Sequence, residues 1–470
     1  MCSRDMNSPI HSYNPDGGRT HALNKLITPS WLRPTASGAF RTRFIHRLAC
    51  CLLAIVLWQP VEAAPEAGVL RSVVIVSRHG VRTPNQSPEK LAVYAAQPWA
   101  TWKEPPGYLT AHGRELMVLM GSYYRARYQE AGLLSGRSEE DAAQVYLRAH
   151  NIQRCMETAR ALAAGCLGEV PVEVHTLPAT EPDPLFATAA AHVGHPDHAM
   201  VEAAVRGRVG GDLVRFAQAY RRQFGEMAEV LSGRPDGVLP KGKMALLDLP
   251  VSLAEGEGGK LLNSNGPIAV ASELVEDFLL EYVDGQPVVG WGRITREKLA
   301  DCYILHSLRF DLMQRTFYLA QIEASNLAAH LSRSFEQTAT GRPVAGAFAP
   351  LGTRLVIEVG HDGNIANLAG LLGLSWSIDG LPNNPTLPGG ALVFELWQHP
   401  ADQRFFVRAY YVAQTLDQMR AIQPLTTQAP PAIAPLFIPG CSGAASDFEA
   451  PLEQVQNLLK RVIDPSFVTP

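Results

Sequence analysis

Two hydrophobic periods share the chain, and the places where one gives way to the other mark its elements. Residues 72–76 (SVVIV) form a short β-branched apolar run, the pattern of a strand buried on both faces. Residues 110–124 (TAHGRELMVLMGSYY) put Leu116, Leu119, Met120, Tyr123 and Tyr124 at helical spacing, with Thr110 as a natural N-cap. Residues 144–148 read as a strand and 152–162 as a helix. The stretches 198–232 and 268–335 are helix-rich and include a helix over 214–224 (VRFAQAYRRQF). Residues 354–359 (RLVIEV) predict a second buried strand, followed by a helix over 364–372. Residues 391–397 and 405–412 read as late strands. Strands followed by helices at both ends, around a helical middle, predict an α/β fold. It would have a parallel-sheet core flanked by helices and a mostly helical inserted second domain. The core is expected at about 68–84, 140–180 and 300–470, and the helical part at about 85–139 and 181–299.

Chemistry is concentrated where the two buried strands stop. The first runs into Arg78-His79-Gly80-Val81-Arg82-Thr83-Pro84. Ligands of open α/β sheets sit at the carboxyl ends of strands. There, Arg78 and Arg82 offer planar forks suited to phosphate oxygens, and Gly80 would let the backbone turn tightly and approach a ligand. The second strand ends in Gly360-His361-Asp362-Gly363-Asn364, with a helix following. That places a histidine and a carboxylic acid beside helix N-terminal amides that favour an anion.

Composition narrows the class. The chain has 470 residues, 46% hydrophobic and 18% charged, which excludes a disordered tail or a coiled coil. The net charge of −4 argues against a nucleic-acid partner, since binding through counterion release needs a basic excess. The first 64 residues differ from the rest. They carry seven Lys/Arg and three Asp/Glu, so the remainder is more acidic, at −8. Arg41, Arg43 and Arg47 precede an 11-residue apolar run, 48–58, and then Val61-Glu62-Ala63. The run is too short to span a bilayer and fits a signal-peptide core cleaved after Ala63. An uncleaved anchor helix is the alternative. The expected organisation is thus a leader over 1–63 and one unit over 64–470, periplasmic or secreted. Of the cysteines that would remain, Cys155 and Cys166 lie on one helical stretch and can pair only if that helix ends before Cys166. Cys302 and Cys441 complete the set, with no pairing indicated.

The two strand-end motifs together resemble those of the histidine acid phosphatases. Similarity to the bacterial phytase and glucose-1-phosphatase group continues through PDPLF (182–186), GWGRIT (290–295), QRT (314–316), GHDGNIAN (360–367) and GGALVF (389–394). The resemblance implies an acid phosphomonoesterase. His79 would be the nucleophile, Asp362 the proton donor, and Arg78, Arg82, His361 and a third arginine the phosphate ligands. The third arginine corresponds to Arg154, with Arg148 as its rival. Neither a metal nor another cofactor is implied, and the partner would be a small phosphate monoester acted on by a monomer free of the membrane. Asn85 and His306 are expected in the substrate pocket. Gly363 stands where a hydroxyl residue is common, and Asn85-Gln86 where Thr-Lys is common. A mutase-like relative would more often show Glu or Gln in place of Val81. A metal- or ligand-binding protein is the other alternative, resting on His192, His195 and His198 in a Gly/Pro-containing loop.

Overall fold

The structure, a computed structural model, describes residues 68–444 and 447–469. The expected leader over 1–63 lies outside the described residues. Eight strands form the main sheet: β1 (Val69–Arg78), β2 (Val145–Ala149), β3 (Val174–His175), β6 (Leu355–Gly360), β7 (Ala391–Gln398), β8 (Phe405–Ala413), β9 (Ala432–Leu436) and β10 (Ala450–Pro451). β4 (Ser252–Glu255) and β5 (Leu262–Asn265) pair separately as a hairpin ladder. The order is β10-β8-β7-β1-β6-β2-β3, with β9 also on β8. β1, β6, β2 and β3 are parallel, and β7 to β10 add an antiparallel half. The predicted parallel core is therefore one side of a mixed sheet. Adjacent late strands, joined by a short connection, pair as a hairpin and need no crossover helix.

Ten main helices surround it: α1 (Ala111–Glu130), α2 (Gln153–Leu167), α3 (His198–Arg208), α4 (Leu213–Ala219), α5 (Arg221–Ser232), α6 (Pro267–Val283), α7 (Arg296–Met313), α8 (Phe317–Thr340), α9 (Asp362–Leu372) and α10 (Leu452–Val462). Both faces of β1 are covered. Val73 and Ile75 pack with Met120 and Tyr124 of α1 and Leu162 of α2. Val74 and Val76 pack with Leu327 of α8 and Leu368 of α9. This two-sided burial is the reason that residues 72–76 read as a continuous apolar run.

α1 starts where its cap predicted, with the Thr110 side chain accepting the Gly113 N–H. The stretch 85–139, expected in the helical part, thus contributes a helix that covers the sheet. α1 and α2 meet at glycines: a Cβ on Gly121 would stand 2.2 Å from Leu162 O, and one on Gly165 2.0 Å from Val118 O. α2 continues through Gly165 to Leu167, so Cys155 and Cys166 stay on one helix, about 16 Å apart at ~1.5 Å per residue. Cys155, Cys166, Cys302 and Cys441 are all buried free thiols. The helix predicted over 214–224 is broken at Tyr220 (φ −103°, ψ 20°), and Asp212 caps its first half. α7 begins just before the expected boundary at 300 and packs on α6 and α5. Among the described residues no helix is long and apolar enough to cross a membrane.

Candidate active site

Parallel pairing brings the two strand-end motifs together. Arg78 at the end of β1 is in register with Gly360 at the end of β6, and Ala149 of β2 with Val359. The Arg78 N–H donates to Gly390 O (2.8 Å) and the His79 N–H to Gly360 O (3.0 Å), which pins the first loop at the sheet edge. Gly80 serves differently from the expectation. It does not adopt a left-handed φ, and a Cβ there would stand 2.8 Å from Met117 Cγ. Its N–H donates to Thr158 Oγ1 at 3.0 Å. Close packing against α1 is therefore the constraint.

His79 Nδ1 lies 2.9 Å from Gly80 O. A carbonyl only accepts, so Nδ1 holds the proton and Nε2 keeps its lone pair. Burial, then the charges of Arg154 and Arg78, hold the pKa of His79 well below the imidazole range, so the ring stays neutral in mild acid.

Arg78 is fully buried and donates to Thr386 O and to Glu276 of α6. Its Nη2 also lies 3.1 Å from Asp362 Oδ2. Burial opposes its charge, but the Glu276 and Asp362 carboxylates outweigh that and keep it cationic. Arg82 Nη2 is 3.6 Å from the same Glu276 oxygen. Burial raises the Glu276 pKa, but Arg78, His306 and Arg82 overcome it and keep the group ionised.

Asp362 opens α9, where its Oδ1 accepts the Gly363 N–H at 2.8 Å. Its side chain is 23% exposed. Burial pushes its pKa up, yet the charges of Arg78 and Arg82 pull it below the usual carboxylate range. A Cβ on Gly363 would meet nothing within 4 Å, so space does not exclude a larger residue there. His361 joins β6 to α9, and its N–H donates to Asn364 Oδ1 at 2.8 Å. Burial, Arg154 and His150 keep the His361 ring neutral.

A cavity of about 390 Å³ opens over these groups, lined by His79, Arg82, Asn85, Arg154, His306, His361 and Asp362. Arg78 lies beneath it. Arg78, Arg82 and Arg154 each keep a buried Nε with no acceptor. Two of these arginines line the cavity and the third lies beneath it, and unsatisfied donors at such a cavity favour an anion. The rival Arg148 is held by Asp183 at 2.8 and 2.9 Å. His306 sits behind Glu276, with Nε2 4.0 Å from Oε2, and stacks on Phe310. His192 and His195 are exposed, and the one three-residue metal-ligand group found among the described residues lies elsewhere. The other shared motifs are partly scaffold. In 290–295, Trp291 adopts a left-handed φ of 58° and donates from Nε1 to Pro98 O. Arg315 binds Leu374 O.

The sequence reading missed Glu276, Asp277, Lys260 and Arg309, all on the cavity wall, and His150 beside His361. One signal was available: α6 is apolar almost throughout, and its Glu273, Glu276 and Asp277 recur at helical spacing. Nothing local marked His150.

The family model described as histidine phosphatase superfamily (branch 2) matches residues 69–205 and 312–412. Phytase AppA of Escherichia coli (strain K12) is 35% identical over 380 residues, 79% of this chain and 87% of that protein. The chain belongs to the histidine phosphatase superfamily, branch 2. Glucose-1-phosphatase of Providencia rettgeri is 28% identical over 385 residues, again 79% of this chain and 87% of the relative. The apo Hafnia alvei phytase structure superposes with a TM-score of 0.79 at 34% identity, covering 87% of this chain and all of that one. These relatives bear out the α/β fold with its helical part and the phosphatase class for this branch 2 member.

Proposed function

We propose that this histidine phosphatase hydrolyses small phosphate monoesters through a phosphohistidine on His79, with phytate among its substrates. The observation that carries the reading is the bare Nε2 of a neutral His79 in a cavity lined by Arg82 and Arg154, with Arg78 beneath, each of the three keeping an Nε that has no acceptor. The phosphoryl oxygens lie among Arg78, Arg82, Arg154 and His361; the arginines offset their charge, and together the four present phosphorus for in-line attack. Nε2 bonds to phosphorus as the ester P–O bond breaks. The leaving alkoxide takes a proton from Asp362, and the resulting carboxylate then deprotonates the water that frees inorganic phosphate and His79.

The substrate-free Asp362 is held ionised, so its proton must arrive with the substrate. A phosphate monoester is a monoanion below its second pKa of about 6, and its charge offsets the arginines that keep Asp362 deprotonated. Acidic activity follows directly. The positive charge for catalysis comes from side chains, and turnover should persist in a chelator.

Phytate turnover is supported by the Escherichia coli phytase relative, by the Hafnia alvei phytase solved with myo-inositol hexakis sulphate, and by Lys260 and Arg309 on the cavity wall. Those two add basic groups beyond the three arginines. Glu273 on the same wall favours hydroxyls over further phosphates, which supports the second reading, a glucose-1-phosphatase or broad sugar-phosphate phosphatase. Turnover of phytate, glucose 1-phosphate and an aryl phosphate by the purified protein separates the two. Gln86→Lys should raise kcat/KM for phytate by up to ~1 kcal/mol, as expected for a partly exposed charge, and leave the aryl phosphate unchanged. No phytate turnover with or without the lysine would leave the sugar-phosphate reading. The enzyme acts as a monomer, periplasmic or secreted, without membrane or nucleic-acid partners. The leader pattern supports export, and N-terminal sequencing of the exported protein should begin at Ala64.

A further inference from the structure

Behind the phosphate site, His361 meets two side chains that hydrolysis does not use. His150 follows β2, Cys155 lies in the first turn of α2, and His361 follows β6. One ligand atom from each falls within 4.8 Å of the others. His150 Nδ1 is 2.7 Å from His361 Nε2, and Cys155 Sγ is 3.9 Å from that same nitrogen. Three donors at ~2.1 Å for nitrogen and ~2.3 Å for sulfur around one ion stand roughly 3.5–4 Å apart. The Cys155–His361 edge already fits, the Cys155–His150 edge lies within 4.8 Å, and the imidazole pair needs to open by somewhat under ~1 Å.

We propose that His150, Cys155 and His361 form a trigonal site for a soft monovalent d10 ion, Cu(I) or Ag(I), whose occupation slows phosphate transfer by withdrawing His361. A thiolate with two imidazoles is a soft donor set. Charge selects the oxidation state. Arg154 adjoins Cys155 in the chain, while Arg78 is paired with Asp362 at 3.1 Å, so the nearby charge is net positive and opposes a dication. A monovalent ion on a thiolate adds no net charge. On binding, the Cys155 S–H bond breaks, its proton leaves to water, and an S–metal bond forms. No electron is transferred, because the ion arrives already monovalent. The binding half of the proposal is independent of the catalytic reading. The inhibitory half rests on His361 serving the phosphate.

The test uses the purified full chain with Ag(I), and with Cu(I) delivered from a coloured chelator under reducing, oxygen-free conditions. Wild type is compared with Cys155→Ser and His150→Asn, each against its own metal-free rate. The other thiols are common to all three proteins, so only the difference counts. We expect wild type to hold one more ion per chain than Cys155→Ser and to show its ultraviolet thiolate-to-metal band. His150→Asn should weaken that ion by about tenfold or more. Inhibition by the ion should be lost in both variants, and excess inorganic phosphate should not restore the serine variant's binding. Equal stoichiometry, affinity and inhibition in all three proteins would overturn the site. Full occupancy of wild type without slowing would overturn the role given to His361.

Discussion

Replacing Asp362 by asparagine separates its two functions, because they act on different kinetic constants. The side-chain shape is kept and the Gly363 N–H still finds an oxygen. What disappears is a proton and a negative charge 3.1 Å from Arg78. Losing general-acid help costs ~10²–10⁴-fold in kcat where the leaving group is an alkoxide. An aryl leaving group needs no proton, so its kcat should fall by less than about tenfold. Loss of the charge acts in the opposite direction. A unit charge about 5 Å from phosphorus costs a bound anion about 3 kcal/mol at an effective dielectric of 20. Solvent reaches this side chain, which is 23% exposed, and cuts the figure to about 1 kcal/mol. Inhibition by inorganic phosphate should therefore tighten about fivefold. The assay is steady-state kinetics with glycerol phosphate and nitrophenyl phosphate across acidic pH, with phosphate inhibition measured in parallel. Equal loss of kcat for both substrates, with weaker phosphate binding, would refute the reasoning and leave Asp362 a structural cap.

His79→Ala should abolish turnover, and the label trapped on wild type during turnover should be acid-labile and base-stable; label on Ser77 instead would sink the nucleophile assignment. Gly165→Ala should destabilise by about 1–3 kcal/mol in denaturant unfolding, because its Cβ would stand 2.0 Å from Val118 O and α1 would have to move; an unchanged midpoint would show that the helices separate freely. Glu358 is fully buried, both its carboxylate oxygens lack partners, and burial pushes its pKa well above the usual range. The folded state thus holds a proton there that the unfolded chain has released above the ordinary carboxylate range, so this group's contribution to stability grows as pH falls toward that range. Below about 6.5 the buried neutral histidines oppose this, since the unfolded chain binds their protons first. Glu358→Gln should remove that contribution to the melting-temperature slope between pH 8 and 6.5, and an unaltered slope would place that proton elsewhere.

Much of the site was legible because it is local. A strand covered on both faces must read as an apolar run, so β1 and β6 announced themselves, and their carboxyl ends are contiguous with Arg78-His79 and with His361-Asp362. Thr110 capped α1 as its hydroxyl dictates. Local pattern could not carry further where a neighbour decides. Tyr220 interrupts a periodicity that looked continuous, and α1 covers the sheet because Gly121 and Gly165 let it approach α2. Arg154 was preferred over Arg148 only by resemblance, and tertiary placement tied Arg148 to Asp183 and left Arg154 at the cavity. Glu276 lies far along the chain from Arg78, on a helix with no motif, and His150 acquires a role only because parallel pairing sets the end of β2 beside that of β6. The chain's own order of residues determined the chemistry at two strand ends, since backbone direction and burial are local properties. The tertiary structure decided which distant carboxylate, arginine and imidazole share that chemistry, because Coulomb and hydrogen-bond forces depend on separation in space.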